Sequence, residues 1–546
     1  MIRASNVSNE RQVTATDALP AARSTSAPAF LVAAGIFLSR IFGLIRVRVF
    51  SHYFGLQSDA ADAFNAAFRI PNFLQNLFGE GALSASFIPV YARLLAEGDE
   101  DEADRVAGAV FGLLVLAMSV FVLLGVLATP IFIDAIVPGF TGAKRDLAIR
   151  LVRILFPGAG LLVLSAWCLG ILNSHRRFFI SYSAPVVWNV AMIATLVGFG
   201  NRLGQFPLAE VLAWGSVAGN GLQFGMQLGP VLRLIKRLRP SLATRSPNVR
   251  AVVLNFVPVF ISRGVVQISA YVDAMIASLL PTGAVTGLFN AQLLYILPVS
   301  LFGMSVSAAE LPAMSSALGS QHAVYDQIRS RLNAGLEQIA FFIVPSAVAF
   351  LTLGDVISAA VLQTGRFTHA DAVYVWGILA GSAVGLLAST LARLYSSTYY
   401  ALRDTRTPLR YAVIRVVLTA GLGYLAAVPL PSTIGIDPRW GVAGLTASAG
   451  VAGWMEFVLL RGTLNRRIGR TGLRVTLSAK LWGAALAAAA LSWGIKLLVG
   501  ARHPLVIGLA VLVPYGLVYL GITMLLGIPH ASAIIARFGK RGRREA

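Results

Sequence analysis

One predicted helix carries polar side chains along a single face for its whole length. Within residues 60–95, polar residues recur at steps of three and four, so they share one face of a helix with 3.6 residues per turn. Lipid does not tolerate such a face, which therefore suits a water-filled cavity, with a polar seam between packed helices as the alternative. The residues of this face are Asp62, Asn65, Arg69, Asn72, Asn76 and Glu80, widened by Gln75 and Ser84.

The apolar helix before it holds arginines at membrane depth. Residues 29–52 contain Arg40 near the middle and Arg46 and Arg48 further along, with Ser39 on the same face as Arg46. A cation at mid-membrane costs at least about 2.5–3.5 kcal/mol, so it usually faces a cavity or a counter-ion. Arg40 and Arg46 are therefore candidates for lining such a cavity, with pairing to a buried acid or snorkelling to the interface as the alternative. For Arg48, structural pairing or snorkelling to the interface is the favoured interpretation.

The second half of the chain repeats this arrangement in outline. The dipeptide Ser-Arg at 39–40 recurs at 262–263, and residues 81–89 resemble residues 304–312, both at an offset of 223. This offset predicts a duplication of six helices whose copies keep the same orientation; chance similarity between Ala- and Ser-rich helices is the alternative. Two acids of the second copy are interpreted as counter-ions of arginines, with ligation of a coupling cation as the alternative. The candidate residues of this copy are Arg263, Gln267, Asp273 and Glu310.

Composition places these helices in a membrane. Hydrophobic residues make up 56% of the 546 residues and charged residues only 13%, about half the share in a soluble domain. A span needs about 20 apolar residues, and lipid requires each span to be helical. We predict an all-α polytopic membrane protein with two parallel six-helix repeats and two extra C-terminal helices. The fourteen predicted spans lie near 29–52, 60–95, 106–133, 147–172, 181–199, 208–232, 249–280, 284–318, 330–352, 371–402, 408–428, 440–460, 477–499 and 504–527.

The distribution of basic residues predicts the topology. Lys and Arg concentrate in alternate connections and in the C-terminal tail, so the positive-inside rule places both termini in the cytoplasm. Residues 353–370 are too short and too polar to span, and we predict a re-entrant or interfacial segment there. The predicted units are a disordered cytoplasmic tail (1–28), an N-terminal six-helix lobe (29–240), a C-terminal six-helix lobe (241–470), a two-helix unit (471–530) and a basic cytoplasmic tail (531–546).

Several kinds of chemistry have no support in the sequence. There is no GxxxxGK[ST] loop for ATP, the six His residues lack metal-ligand spacing, and Cys168 is the one cysteine. The net charge of +21 follows from the basic connections and does not require a nucleic-acid partner. We predict no cofactor, apart from a coupling cation of unknown identity. A basic, polar cavity without a catalytic constellation suits moving an anion better than transforming it.

Three stretches resemble the MviN/MurJ family. They are SRIFGLIRVRVF (39–50), DAFNAAFRIPNFLQNLFGEGALSASFIPVYARL (62–94) and LNSHRRF (172–178). Members of that family are lipid II flippases of bacterial peptidoglycan synthesis, within the MATE-like multidrug/oligosaccharidyl-lipid/polysaccharide exporter superfamily. The resemblance implies fourteen helices, a V-shaped cationic cavity between two six-helix lobes, and a groove for the lipid tail formed with the last two helices.

The resemblance also implies roles for individual residues. Gln75 and Leu293 stand where well-studied members have cavity arginines, and we expect Arg263 to supply the missing charge. The expected substrate-binding residues are Arg40, Arg46, Asn72, Gln75, Asn76 and Arg263. The expected gating or positioning residues are Ser39, Asp62, Glu80, Gln267, Asp273 and Glu310.

The function that this resemblance implies is transport, not catalysis. A secondary transporter of the bacterial cytoplasmic (inner) membrane would flip an undecaprenyl-pyrophosphate-linked sugar-peptide to the outer leaflet by alternating access, for cell-wall biogenesis and cell shape. Other cell-wall synthesis proteins are candidate partners. The alternatives are a related exporter of another lipid-linked glycan, or of drugs by ion antiport. A membrane-embedded glycosyltransferase or a scaffold is less favoured, because the sequence has no extracytoplasmic carboxylate cluster and a scaffold needs no full-length polar face.

Overall fold

The computed structural model describes residues 26–78, 82–242, 246–500 and 502–532. These residues form α-helices joined by short connections, with one isolated bridge between Thr364 and Phe367. A π-helical stretch, Val299–Met304, joins α10 to α11, and a 3-10 turn, Pro438–Trp440, precedes α17. The helices are α1 (Ser26–Phe54), α2 (Asp59–Phe78), α3 (Ser84–Glu97), α4 (Glu100–Leu127), α5 (Thr129–Ile136), α6 (Gly142–Ser174), α7 (Phe178–Phe199), α8 (Gln205–Leu234), α9 (Pro247–Ser278), α10 (Ala284–Pro298), α11 (Ser305–Ser315), α12 (Gln321–Thr352), α13 (Gly354–Leu362), α14 (His369–Ala401), α15 (Arg406–Ala427), α16 (Pro429–Thr433), α17 (Gly441–Ile468), α18 (Val475–Val499) and α19 (Pro504–Leu525).

The predicted all-α membrane fold is confirmed. Ten helices among the described residues are long and apolar enough to cross a membrane. Helices α1, α8 and α9 and the pair α2–α3 are not among the ten, so the number fourteen stays a prediction. The described part of the predicted span at 60–95 contains α2 and α3, and residues 353–370 hold the nine-residue helix α13. Most of both predicted tails lies outside the described residues.

Helices α1–α8 pack together as an N-terminal group. Helix α6 lies at its centre and contacts α2, α4 and α8, while α7 packs between α1 and α8. Gly35 allows α1 to approach α7 closely, because a Cβ atom there would lie 3.0 Å from the Cβ of Tyr182. This close approach fixes the position of the α1 arginines relative to α7.

Helices α9–α17 form a C-terminal group around α14. Helix α14 contacts α10, α11, α12 and α17, and α15 packs on α17. The backbones of α14 and α17 approach most closely at two glycines, because a Cβ atom on Gly385 would lie 2.4 Å from the Cα atom of Gly450. A backbone atom cannot rotate away as a side chain can, so this contact requires glycine.

We expect Gly385→Val to separate α14 from α17 and to lower the thermal unfolding midpoint of the purified protein. Overpacking of this kind costs about 1–3 kcal/mol or more. Gly421→Val in α15 is the matched control, since a Cβ atom there would meet nothing within 4 Å. Both variants carry the same small helix penalty of a β-branched side chain. Equal unfolding midpoints for the two variants would contradict the packing argument.

Helices α18 and α19 pack on each other and dock on α12 and α13. Pro345 lacks an N–H group, which releases the carbonyl of Phe341 in the preceding turn of α12. The hydroxyl of Tyr519 donates to this carbonyl at 2.6 Å, and that of Tyr515 donates to the carbonyl of Pro345 at 2.7 Å. The proline thus creates a polar attachment point for α19.

The two groups meet where α2 faces α10, and their contacts reflect the internal repeat. Thr282 donates to Asp59 at 2.8 Å, and Arg69 donates to Gln292 at 2.5 Å, each pair being 223 residues apart. The same offset of 223 was obtained from the sequence repeats. Residues at equivalent repeat positions contact each other only near a symmetry axis, so an approximate two-fold axis passes between α2 and α10.

Candidate functional site

A polar cavity of about 530 Å³ lies inside the N-terminal group, between α1, α2, α6, α7 and α8. It brings together five of the predicted site residues. Its described lining carries two arginines and no acidic residue, so it is cationic. The polar lining residues are Ser39, Arg40, Arg46, Asn72, Gln75, Ser165, Ser181, Tyr182, Gln223 and Gln227.

Arg46 is held in the cavity by neutral partners. Its Nε donates to Oδ1 of Asn189 at 2.9 Å, and its guanidinium lies 4.9 Å from the ring centre of Trp188. Asn189 is itself oriented by a bond from its Nδ2 to the carbonyl of Pro185 at 2.9 Å. Because a carboxylate is absent from these contacts, Arg46 keeps its full positive charge for a ligand.

Arg40 lines the same cavity six residues earlier in α1, and it is exposed. Among the described residues it has no hydrogen bond and no ion pair. Its guanidinium can therefore turn toward an anion without breaking a contact. Two guanidinium groups without an acidic partner thus line one polar cavity, an arrangement that suits an anion.

A hydrogen-bonded cluster on α6, α7 and α8 also lines the cavity, and it was not predicted from the sequence. Ser165 donates to Gln227 at 2.5 Å, and Gln223 donates to Ser165 at 3.1 Å. Gln227 also donates to the carbonyl of Ser181 at 3.4 Å. The sequence does contain a pattern that indicates this cluster. Polar residues recur on α8 at steps of four, three and four, at Ser216, Asn220, Gln223 and Gln227. That spacing marks a second polar helix face.

Asp62 lies outside this cavity, at the contact between the two groups, and its side chain is only 1% exposed. Its carboxylate accepts bonds from the backbone N–H groups of Gly283 and Thr286, both at 2.9 Å, and from the Thr286 hydroxyl at 2.7 Å. Lys144 donates to it at 2.8 Å. Asp62 therefore caps α10 and binds Lys144, and none of these contacts is to a cavity arginine.

The other predicted residues lie elsewhere. Asn76 is exposed and is not part of the cavity lining. Glu310 pairs with Arg331 at 3.4 Å, a partner that the sequence did not indicate. Asp273 is half-buried, and its Oδ1 has no partner among the described residues. Glu80 and the side chains of Arg263 and Gln267 lie outside the described residues.

Arg48 has the structural role favoured by the sequence. It donates to the carbonyls of Ala360 at 2.8 Å and Val361 at 3.1 Å, at the end of α13. Unpaired carbonyls at a helix end attract a cation, so Arg48 attaches α13 to α1. It is thereby withdrawn from the cavity.

Comparison with known proteins identifies the family of this chain. The family model described as lipid II flippase MurJ matches residues 50–518. The chain belongs to the MurJ family. A probable lipid II flippase MurJ of Rhizobium tropici is 33% identical over 448 residues, 80% of either chain. The lipid II flippase MurJ of Burkholderia cenocepacia is 31% identical over 439 residues, which cover 79% of this chain and 82% of that protein.

Solved structures agree with the MurJ assignment at the level of the fold. A lipid II flippase MurJ in an inward closed conformation matches with a TM-score of 0.73 at 24% identity, over 91% of this chain and 98% of that one. An inward-facing multidrug resistance MATE family transporter matches with a TM-score of 0.61 at 16% identity, over 80% of this chain and 98% of that one. Membership of the MurJ family and the ten apolar helices make the chain a multi-pass inner-membrane protein.

Proposed function

We propose that the chain flips lipid II, an undecaprenyl-pyrophosphate-linked sugar-peptide, from the cytoplasmic to the outer leaflet as a secondary transporter. The observation that carries this proposal is the pair Arg40 and Arg46 on a polar cavity with no acid in its described lining. A diphosphate needs cations to replace its lost hydration, and guanidinium groups supply charge-assisted bonds to phosphate oxygens. Asn72, Gln75 and Gln223 then contact the sugar and peptide.

The charge of the cavity distinguishes this substrate from the alternatives. Drug antiport of cations would require acidic groups in the cavity, whereas its described lining carries arginines. Another lipid-linked glycan with a phosphate would meet the same arginines, so the family assignment decides in favour of lipid II. The proposed partners of the chain are the lipid bilayer and other proteins of cell-wall synthesis.

Alternating access requires contacts that close each end of the molecule in turn. At one end, Asp62 caps α10 and pairs with Lys144. At the other end, Arg93 donates to Asn248 at 2.8 Å, and Ser246 donates to Glu102 at 2.7 Å. We propose that these two sets of contacts are the outer and the inner gate. The chain has no P-loop, so the membrane potential or an ion gradient is the proposed energy source.

We expect both termini in the cytoplasm, which places Asn201 outside and His322 inside. Both residues are exposed, and the native Cys168 is buried and can be replaced by alanine. In a Cys168→Ala background, an impermeant thiol reagent added to intact cells labels Asn201→Cys and spares His322→Cys. Labelling of both after lysis controls for reactivity. The reverse pattern in intact cells would contradict the orientation.

The function is tested in liposomes that contain the purified full chain and fluorescent lipid II. An impermeant quencher reaches only the outer leaflet, so flipping appears as fluorescence that becomes accessible with time. We expect flipping above the rate of protein-free liposomes, and slower exchange of a phosphate-free polyprenyl alcohol. Equal rates with and without protein would overturn the proposal. In cells, depletion of the protein is expected to trap lipid II in the inner leaflet.

A further inference from the structure

A second polar pocket, of about 380 Å³, lies far along the chain from the arginine cavity. It is enclosed by α13, the start of α14, the end of α18 and the start of α19. Its lining includes five polar side chains, and none of them belongs to the transport cavity or to the gates. They are Asp355, Gln363, His369, Lys496 and Arg502.

A partly buried ion pair lines this pocket. Lys496 donates to Oδ2 of Asp355 at 2.5 Å, and the Asp355 side chain is 8% exposed. The second carboxylate oxygen, Oδ1, is buried without a hydrogen-bond partner among the described residues. A buried acceptor without a hydrogen-bond partner lowers the stability of the fold. An ion pair here is not needed for the helices to pack. The free oxygen therefore suits a ligand that donates a hydroxyl hydrogen.

Two more basic side chains reach the same pocket from different helices. His369 is the first residue of α14, and Arg502 comes two residues before α19 begins. Both are exposed, and neither has an ion pair within the described part of the chain. Helix N-termini attract anions through their free N–H groups and dipole. Together with Lys496, these groups favour a phosphate.

Exposed leucines follow the pocket residues along α18 and α19. Leu498 is 88% exposed, and Leu497 and Leu509 are 68% exposed. Both helices are long and apolar enough to cross a membrane, so acyl chains of the bilayer surround these leucines. The pocket therefore adjoins membrane lipid, which favours a phosphate carried by a lipid over a soluble phosphate.

We propose that this pocket binds the headgroup of phosphatidylglycerol, a membrane glycerophospholipid. The phosphate contacts Arg502, Lys496 and His369, and a glycerol hydroxyl of the headgroup donates to Oδ1 of Asp355. The acyl chains lie along the leucines of α18 and α19. The bound lipid thereby links α13 to α18–α19. The assignment of this lipid to the outer leaflet rests on the orientation given under the proposed function. Binding of the lipid to the pocket does not depend on that orientation.

The test is lipid binding to the purified full chain, followed by native mass spectrometry during titration with phosphatidylglycerol. We expect His369→Gln/Arg502→Gln to weaken binding at least tenfold, because it removes two of the three basic groups and leaves the Lys496–Asp355 pair intact. Arg502→Lys, which keeps the charge, retains binding within about threefold. Arg202→Gln is the matched control, since Arg202 is exposed in the connection between α7 and α8.

The competing ligands separate the sources of the phosphate. Diacylglycerol with the same acyl chains, and free glycerol 1-phosphate, are expected to bind at least tenfold more weakly than phosphatidylglycerol. Equal binding of diacylglycerol, or unchanged binding by a folded His369→Gln/Arg502→Gln variant, would overturn the headgroup site. Equal binding of glycerol 1-phosphate would overturn the lipid as its source. Flipping of lipid II is measured separately, so failure of the transport proposal leaves this test unaffected.

Discussion

We expect flipping of lipid II in the liposome assay to fall about 100-fold when Arg46 is replaced by glutamine. A hydrogen bond to a charged group contributes about 1.5–3 kcal/mol, and 1.4 kcal/mol corresponds to a factor of ten. Glutamine still reaches Asn189 but removes the charge and the contact with the Trp188 ring. Arg40→Gln acts in the same direction, and the double variant is expected to reach the background rate.

Two further variants separate charge from structure. Arg46→Lys keeps the charge but not the planar fork of donors, so we expect flipping between that of wild type and Arg46→Gln. Arg202→Gln removes an exposed arginine outside the cavity and is expected to leave flipping unchanged. Flipping at the wild-type rate by a folded Arg46→Gln protein would show that Arg46 does not carry the diphosphate.

The sequence predicted the cavity arginines because charge inside an apolar helix has few explanations. Arg40 and Arg46 interrupt a span that lipid would otherwise surround, and the structure places both on one polar cavity. The repeat offset was equally informative, since the pairs Asp59–Thr282 and Arg69–Gln292 lie on the axis that it implied. Long-range symmetry is readable from sequence when both copies retain similar residues.

The polar face of α2 shows what helical spacing alone does not predict. Asn72 and Gln75 line the cavity, whereas Asp62 and Asn65, on the same face, contact α10. A polar face can be satisfied by water or by a polar neighbour, and helical spacing is identical in both cases. Only the packing of α10 against the first half of α2 decides between them, and that packing is absent from the local pattern.

The sequence also did not predict which residue pairs with a given charged side chain. Glu310 pairs with Arg331 across the turn between α11 and α12. The sequence indicated that a buried acid needs a counter-ion, but several arginines could serve. Which arginine pairs with Glu310 depends on the face that α11 presents to α12. The π-helical stretch before α11 changes that face.

Asp62→Asn is expected to open the outer gate and to reduce flipping at least tenfold. Asp62 joins α2 of one helix group to the start of α10 in the other, because its two carboxylate oxygens accept from the N–H groups of Gly283 and Thr286. Asparagine has one acceptor oxygen, so the N–H group of Gly283 loses its partner, and an unsatisfied buried donor costs about 1–3 kcal/mol. About 1.4 kcal/mol changes a two-state equilibrium tenfold, so this loss shifts the population toward the outward-open state. Thr286 keeps its acceptor and Lys144 keeps its contact with Asp59 at 3.2 Å, so the fold is retained.

The readout is the distance between spin labels at Asn201→Cys and Ser432→Cys in a Cys168→Ala background. Both positions are exposed and lie at the gate end, one in each helix group. We expect Asp62→Asn to add a longer distance to the distribution. Lys144→Gln is expected to change the distribution less, because Lys144 lies in the same helix group as Asp62 and the bonds from α10 to Asp62 remain. Asp146→Asn, an exposed acid on α6, is the control. An unchanged distance distribution together with normal flipping would mean that the contact of Asp62 with α10 only stabilises the fold and does not control access.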